Sequence, residues 1–139
     1  MPITAAVRST TDDLCQELLL DGRHRLTIDE PEALGGTDTA PSPVELLAGA
    51  LAGCVTVTLR MYARRKEWEL GEIGVDVEID KDASPPSCCI TVDLPDGLDD
   101  ERIVRLERIA LACPVSRMLH QGVDIDHALT VGGRPRART

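Results

Sequence analysis

Alternating apolar and polar positions divide much of the chain into predicted β-strands. The clearest alternation covers residues 73–79, where isoleucine or valine occupies every odd position, as in a strand with one buried face. Near the N-terminus, Asp21-Gly22 separates two apolar runs and predicts a two-residue hairpin of type I′. Strands are predicted over residues 3–8, 15–20, 23–29, 73–79, 88–94 and 123–131.

The strongest helix signal begins at Ser42. Its hydroxyl can cap the helix, Pro43 suits the first helical position, and Glu45 can reach back to the cap. The helix should run to about residue 65. Over residues 46–59 it carries no charge and is apolar all round, so we expect it to be covered on every side. Two shorter helices are predicted over residues 99–112 and 114–121, separated by Pro114 and closed by Gly122.

These elements follow one another in the order βββ–α–ββ–αα–β, with consecutive strands close enough to pair antiparallel. The order predicts a single α+β domain over residues 1–131, with a loop rich in glycine and proline over residues 30–43 before the long helix. Residues 132–139 contain three arginines, and we expect them to be a disordered basic tail.

Composition and charge exclude several classes of protein. Hydrophobic residues make up 42% of the 139 residues, too many for a disordered acidic chain, and the net charge is −9. An acidic surface repels phosphate backbones and anionic lipid, so neither nucleic acid nor a membrane is an expected partner. No apolar signal segment opens the chain, and the uncharged run of residues 46–59 is too short to span a bilayer. We therefore expect a soluble, cytoplasmic protein.

The long helix has features that favour contact with a second chain. Gly49 and Gly53 are four residues apart, so they share a helix face and allow another backbone to approach closely. Tyr62 and Trp68 are the only aromatic residues, which leaves few large side chains to fill a monomeric core. We interpret this combination as evidence for an intertwined homodimer.

Five cysteines in a chain without an export signal argue against a structural disulfide framework. The three histidines lie outside the usual zinc spacings, and no metal or other cofactor is expected. Cys54 lies mid-helix among apolar neighbours that cannot stabilise a thiolate, which favours a buried structural role. Cys113 precedes Pro114 and a new helix, where free N–H groups lower a thiol pKa. For Cys113, the functional and structural interpretations remain equally open.

Other candidates carry weaker signals. Glu45 is a tempting general base, but nine residues at about 100° each place it across the helix from Cys54, and capping accounts for it. His120 is a candidate base near Cys113. The remaining cysteines, Cys15, Cys88 and Cys89, are interpreted as strand thiols.

The segments SPVELLAGALAGC and TLRMYARRK, followed about sixty residues later by ACPVSRML, resemble the OsmC/Ohr superfamily of thiol-dependent hydroperoxide reductases. The resemblance covers residues 23–131. It implies an intertwined homodimer in which two long helices pack between two curved antiparallel sheets. It also implies that Cys54 attacks the peroxide and that Cys113 resolves the sulfenic acid as a disulfide. A dithiol such as a lipoylated protein would then reduce this disulfide, and an apolar pocket would favour organic hydroperoxides.

The chain departs from the peroxidase pattern at the start of the long helix. Peroxidase branches of the superfamily carry a glutamate directly after the proline, where it orients an activating arginine, whereas this chain has Val44 there. It is therefore more similar to the less characterised OsmC-like branch. The candidate activating or pocket residues are Arg25, with Arg23 and Arg8 as alternatives, His24 and Glu45.

Three hypotheses follow. The first is an organic hydroperoxide reductase that uses Cys54 and Cys113. The second is a non-enzymatic module that binds an apolar or thiol-reactive small molecule in the dimer pocket. The third is a structural role in which both thiols stay reduced and buried.

Overall fold

The computed structural model describes residues 1–137 and confirms the predicted α+β fold class. A three-stranded sheet precedes a long central helix, a β-hairpin follows it, and two short helices and a second hairpin complete the fold. The strands are β1 (Ala5–Val7), β2 (Gln16–Leu20), β3 (His24–Ile28), β4 (Gly74–Asp80), β5 (Ser87–Asp93), β6 (Leu129–Val131) and β7 (Arg134–Arg136). The helices are α1 (Pro43–Arg65), α2 (Asp100–Leu111) and α3 (Pro114–Gln121), with one 3₁₀ turn at Glu32–Leu34.

Within one chain the strands form three separate antiparallel sheets. β1, β2 and β3 form one antiparallel sheet, β4 pairs with β5, and β6 pairs with β7. The hairpin between β2 and β3 turns over residues 21–23, one residue more than predicted, because Leu20 pairs with His24. Asp21 and Gly22 have positive φ angles of 53° and 70°, as a type I′ turn requires. Joining these sheets would therefore require contacts from outside the chain.

The C-terminal segment differs most from the sequence-based prediction. The strand predicted over residues 123–131 forms only at Leu129–Val131, because the alternating residues before it have no partner strand within the described chain. The predicted disordered tail instead supplies β7, which folds back through Gly132 and Gly133. Both glycines have positive φ, the conformation that a tight hairpin requires. Residues 138 and 139 of the predicted tail lie outside the described residues.

The core forms on one side of α1. Leu51, Val55 and Leu59 recur at helical spacing, are at most 2% exposed, and pack with Leu106 of α2 and with Cys113. Apolar side chains of β4 and β5 pack against this cluster, and so does Trp68. The buried stripe of α1 is therefore satisfied within the chain.

The opposite side of α1 is uncovered. Val57 and Met61 are 57% and 60% exposed, and a Cβ added at Gly49 or Gly53 would meet no atom within 4 Å. The chain exposes 11197 Å², whereas a compact monomer of 15.0 kDa exposes about 7,000 Å². The expectation that this helix is covered on all sides is therefore not met by one chain.

A polar loop holds the start of α1 in place. The Asp29 carboxylate, only 1% exposed, accepts hydrogen bonds from the backbone N–H groups of Glu30, Thr37 and Thr39 and from both threonine hydroxyls. A Cβ at Gly36 would lie 1.9 Å from the Glu30 carbonyl oxygen, so the close approach requires glycine. The loop is closed by its own hydrogen bonds.

Candidate thiol site

The first half of the site is set by the N-terminus of α1. The Glu45 N–H donates to the Ser42 hydroxyl at 3.2 Å, and that hydroxyl donates to Glu45 Oε1 at 3.0 Å. Pro43 occupies the first helical position. The predicted serine cap is confirmed, and Glu45 reaches back to the cap, although it bonds the Ser42 hydroxyl and not the Ser42 backbone N–H of a complete capping box. Cys54, nine residues further along α1, is a half-buried free thiol.

The second half of the site is the N-terminus of α3. Cys113 is the N-cap residue of this helix, and its Sγ accepts the backbone N–H of Ser116 at 3.3 Å. Cys113 is 0% exposed. The predicted meeting of this sulfur with free N–H groups is confirmed.

Burial raises the pKa of the Cys113 thiol, and interactions with the Cys54 side chain raise it further. The N–H groups of Ser116 and Val115 act in the opposite direction, and the net result is a raised pKa. The sequence-based expectation of a lowered pKa is therefore wrong in its net direction, because removal from water outweighs the helix N-terminus. Cys54 of α1 packs against the buried cluster that includes Cys113.

The candidate arginines lie on the first sheet, away from both sulfurs. Arg25 forms an exposed ion pair with Glu17, and Arg23 lies 3.8 Å from Asp21 across the hairpin turn. His24 is exposed beside them. In residues 1–137, no hydrogen bond or ion pair joins Arg23, His24, Arg25 or Glu45 to Cys54 or Cys113. A single chain thus leaves their proposed activating role a prediction.

The other cysteines and His120 lie around the site. Cys88 and Cys89 are exposed on β5, and burial, followed by repulsion from Cys89, raises the pKa of Cys88. Cys88 and His120 line a cavity of about 300 Å³ between α1, β5 and α3. Cys15 lies 3.9 Å from the Thr39 hydroxyl. Within the described part of the chain, no group of three or more His, Cys, Asp or Glu side chains could hold a metal ion.

Sequence reasoning missed the hydrogen-bonding role of Asp29 in the loop before α1. The Thr37 hydroxyl and the N–H groups of Glu30 and Thr39 lower the pKa of this carboxyl far below its usual range. The aspartate and the two threonines were visible in the sequence, but nothing in their spacing indicated a closed loop.

The chain is an α+β protein in which Cys54 of α1 packs against the same core cluster as Cys113. Residues 36–128 match the family described as OsmC-like protein, and the chain belongs to this family. This confirms the resemblance that the cysteine segments carry. No curated protein matches the chain.

Solved structures show the same fold. A protein from Psychrobacter arcticus, provisionally assigned to osmotic stress and detoxification responses, has 26% identity and a TM-score of 0.67 over 82% of this chain and 85% of its own. The organic hydroperoxide resistance protein OhrB of Bacillus subtilis has 26% identity and a TM-score of 0.54, with 89% and 94% covered. An OsmC organic hydroperoxide resistance protein from Legionella pneumophila has 22% identity and a TM-score of 0.62, with 89% and 93% covered; it supports the fold alone.

α1 is also long and apolar enough to cross a membrane, judged only by its length and its mean hydropathy of 1.5. This differs from the expectation based on the 14 uncharged residues, because the helix extends to 23 residues. The core helix of a soluble protein meets the same criterion. All of α1 lies within the region that matches the family.

Proposed function

We propose that this protein is a thiol-dependent peroxidase that reduces organic hydroperoxides through Cys54 and Cys113. The observation that carries the proposal is the neighbouring position of these two thiols, one on α1 and one at the N-cap of α3. The name of the B. subtilis relative, an organic hydroperoxide resistance protein, supports the substrate class.

The roles of the two cysteines follow from their exposure. Cys54 is half-buried and can be reached by a substrate, whereas Cys113 is fully buried. The Cys54 thiolate attacks the terminal peroxide oxygen, the O–O bond breaks, and the alkoxide leaves as an alcohol after taking up a proton. Cys54 is then a sulfenic acid.

Cys113 completes the oxidation. Its sulfur attacks the Cys54 sulfenic sulfur, a disulfide forms, and water leaves with the proton of the Cys113 thiol. An external dithiol, of which a lipoylated protein is one example, reduces the disulfide by two thiol–disulfide exchanges and is itself oxidised to a disulfide. Two thiols held together thereby protect Cys54 from further oxidation.

The active form in this proposal is a homodimer in which a second copy covers the exposed face of α1. The chain exposes roughly 4,000 Å² more than a compact monomer of its size, which exceeds the roughly 1,000–2,500 Å² that each partner of an obligate dimer buries. The open space at Gly49 and Gly53 supports close packing there. Covering α1 with protein rather than lipid is consistent with a soluble, cytoplasmic protein.

The apolar surroundings of the thiol pair favour an organic hydroperoxide over hydrogen peroxide. Leu51 and Val55 border Cys54 along α1, and Val57 and Met61 extend the apolar surface away from it. Burial of an organic substituent against these side chains would stabilise the bound substrate.

The test is peroxide consumption by the reduced protein with cumene hydroperoxide, combined with peptide mass mapping of the product. We expect a Cys54–Cys113 disulfide, and Cys54→Ser should lower turnover on the order of 100-fold or more. Cys89→Ser, which removes an exposed thiol on β5, is the matched control and should retain activity. Full activity of Cys54→Ser would refute the proposal.

Within residues 1–137, no lysine or arginine side chain forms a hydrogen bond or ion pair with Cys54 or Cys113. This favours one second candidate, a non-enzymatic binding module. Such a module would bind an apolar or thiol-reactive small molecule in the dimer pocket. It predicts negligible peroxide turnover together with a higher thermal midpoint in the presence of the ligand.

A further inference from the structure

Positive charge on this acidic protein is concentrated where α1 ends against α2. Seven of the fifteen lysines and arginines lie within residues 60–66 and 102–108. The two segments meet through the hydrogen bond that Arg105 Nη1 donates to the Tyr62 hydroxyl at 3.2 Å. Arg102 Cζ also lies 4.9 Å from the centre of the Trp68 ring.

Three of these cations surround Tyr62 and form what we call the Tyr62 cationic cluster: Arg65, Lys66 and Arg105. Arg65 Cζ and Lys66 Nζ lie 5.9 and 5.8 Å from the Tyr62 ring centre. In the part of the chain that the structure describes, none of the three has a carboxylate oxygen within 4 Å. Glu101, one turn before Arg105 on α2, interacts with it only at longer range.

Four other basic residues, Arg23, Arg25, Lys81 and Arg102, each lie within 4 Å of a carboxylate oxygen, whereas the remaining described arginines, like the cluster, have no such partner. What distinguishes the Tyr62 cationic cluster is that its three cations converge on one aromatic ring. Packing like charges together without ion-pair partners opposes folding. The three side chains are exposed and can therefore be reached by a binding partner.

The cluster also has a defined relation to the thiol site. Arg65 follows Cys54 by eleven residues, or three helical turns, so the two lie on the same side of α1 and about 16 Å apart. A partner held by the cluster would lie at the end of the helix face that carries Cys54.

We propose that the Tyr62 cationic cluster docks a protein with a small carboxylate-rich patch, and that this protein supplies the thiols that reduce the Cys54–Cys113 disulfide. The arrangement of charges supports the docking surface independently of the proposed function. The delivery of reducing thiols by the partner rests on the proposed function. A net charge of −9 disfavours a long nucleic acid or an anionic bilayer, which would extend over the acidic surface. A local acidic patch on a folded protein meets only the cluster.

The docking test uses the reduced protein and needs no catalysis. One peptide carries glutamates on both sides of two serines, and its control carries glutamines instead. Because Trp68 is the only tryptophan and lies beside Tyr62, with ring centres 5.7 Å apart, its fluorescence reports binding. The acidic peptide should bind at low salt and be released at high salt, and the glutamine peptide should bind far more weakly.

Matched variants assign this binding to the cluster. Lys66→Gln should weaken binding of the acidic peptide on the order of threefold, and adding Arg65→Gln should weaken it further. Lys81→Gln, which removes the same charge at the β4–β5 turn, should have no effect. Equal binding of both peptides, or equal losses in Lys66→Gln and Lys81→Gln, would overturn the docking surface. Equally tight, cluster-dependent binding of a single-stranded oligonucleotide would overturn the choice of a protein partner.

A second measurement tests delivery. The same two peptides with cysteines in place of the serines are mixed with the peroxide-oxidised protein, and disulfide reduction is followed by mass spectrometry. The acidic dithiol should react several-fold faster than the glutamine dithiol, and Lys66→Gln should remove most of the difference. Equal rates would overturn delivery through the cluster. If peptide binding holds but no disulfide forms with peroxide, the proposed peroxidase function fails and the docking surface stands.

Discussion

The loop before α1 and the exposed face of α1 adjoin in sequence but differ in completeness. The loop is polar, and its central Asp29 carboxylate is surrounded by five donors from within the same chain. The helix face is apolar, and Gly53 and Val57 have no covering group from their own chain. The polar groups of the loop are satisfied by hydrogen bonds within the chain. The apolar face of α1 is left uncovered by the described chain.

The loop and the helix face contribute differently to the proposed thiol site. The loop is tied to the start of α1, since the Asp29 N–H donates to the carbonyl oxygen of Pro41 at 3.0 Å, directly before the capping residue Ser42. The helix presents Cys54 beside a face that a second copy would close. In the proposed dimer, this arrangement would place Cys54 at the boundary between two chains, where a pocket for substrate would form.

The largest expected effect comes from Gly53→Leu. In a monomer this change fills open space and should stabilise α1 by up to about 1 kcal/mol, because glycine is a poor helix former. Against a second backbone it should clash and weaken the dimer by about 1–3 kcal/mol. Light scattering after gel filtration should show dissociation at concentrations where the wild type stays dimeric.

The control for this prediction is Glu101→Leu, which places the same side chain at an exposed position of α2. It should leave the molar mass unchanged. A wild-type mass of 15.0 kDa at high concentration, or a more stable Gly53→Leu variant of unchanged mass, would refute the idea that α1 is completed by a second copy.

A smaller effect is expected from Asp29→Asn, which removes the charged acceptor at the centre of the loop. The thermal midpoint should fall by several degrees at neutral pH, because the N–H and hydroxyl donors lose their carboxylate. The pKa of Asp29 is lowered in the folded state, so its stabilisation is present above about pH 4 and is lost as the pH falls further. The variant should show a weaker fall in midpoint below pH 4.

Asp38→Asn is the matched control because it makes the same change at an exposed position of the same loop. Asp38 has a positive φ of 54°, which asparagine tolerates. Its midpoint and acid dependence should remain those of the wild type. Identical behaviour of the two variants would contradict a special role for Asp29.

The smallest effect is expected at Ser42, where the two regions join. Ser42→Ala removes the acceptor for the Glu45 N–H and should cost about 1 kcal/mol of unfolding free energy, measured by denaturant titration. Ser9→Ala, at an exposed position before β2, should change the unfolding free energy by less than about 0.5 kcal/mol. A loss in dimer affinity for Ser42→Ala, with no loss in unfolding free energy, would contradict the division between loop and helix.

The parts of the fold that sequence predicted were those encoded by neighbouring residues. Ser42, Pro43 and Glu45 specify a helix start through bonds three residues apart, and Asp21-Gly22 specifies a tight turn through backbone conformation. The boundaries of α1 and α3 follow from such local chemistry. These signals are reliable because one or two turns of chain contain everything that they require.

The parts that sequence did not predict depend on residues far apart or on a balance of energies. The Asp29 bonds join residues eight and ten positions apart across an irregular loop. The net pKa change at Cys113 depends on how deeply the folded chain buries it, which no spacing shows. The alternating pattern after Gly122 was interpreted as one long strand, but a strand also needs a neighbour, and Gly132-Gly133 supplies one only to its final three residues.

The uncovered face of α1 has a consequence for how the protein accumulates in a cell. A site completed by a second copy forms in a bimolecular encounter, so at concentrations well below the dimer dissociation constant, active molecules increase with the square of the chain concentration. Modest changes in synthesis would then produce larger changes in the amount of the proposed active dimer. Newly made chains would meanwhile expose an apolar helix to chaperones and proteases until they met a partner.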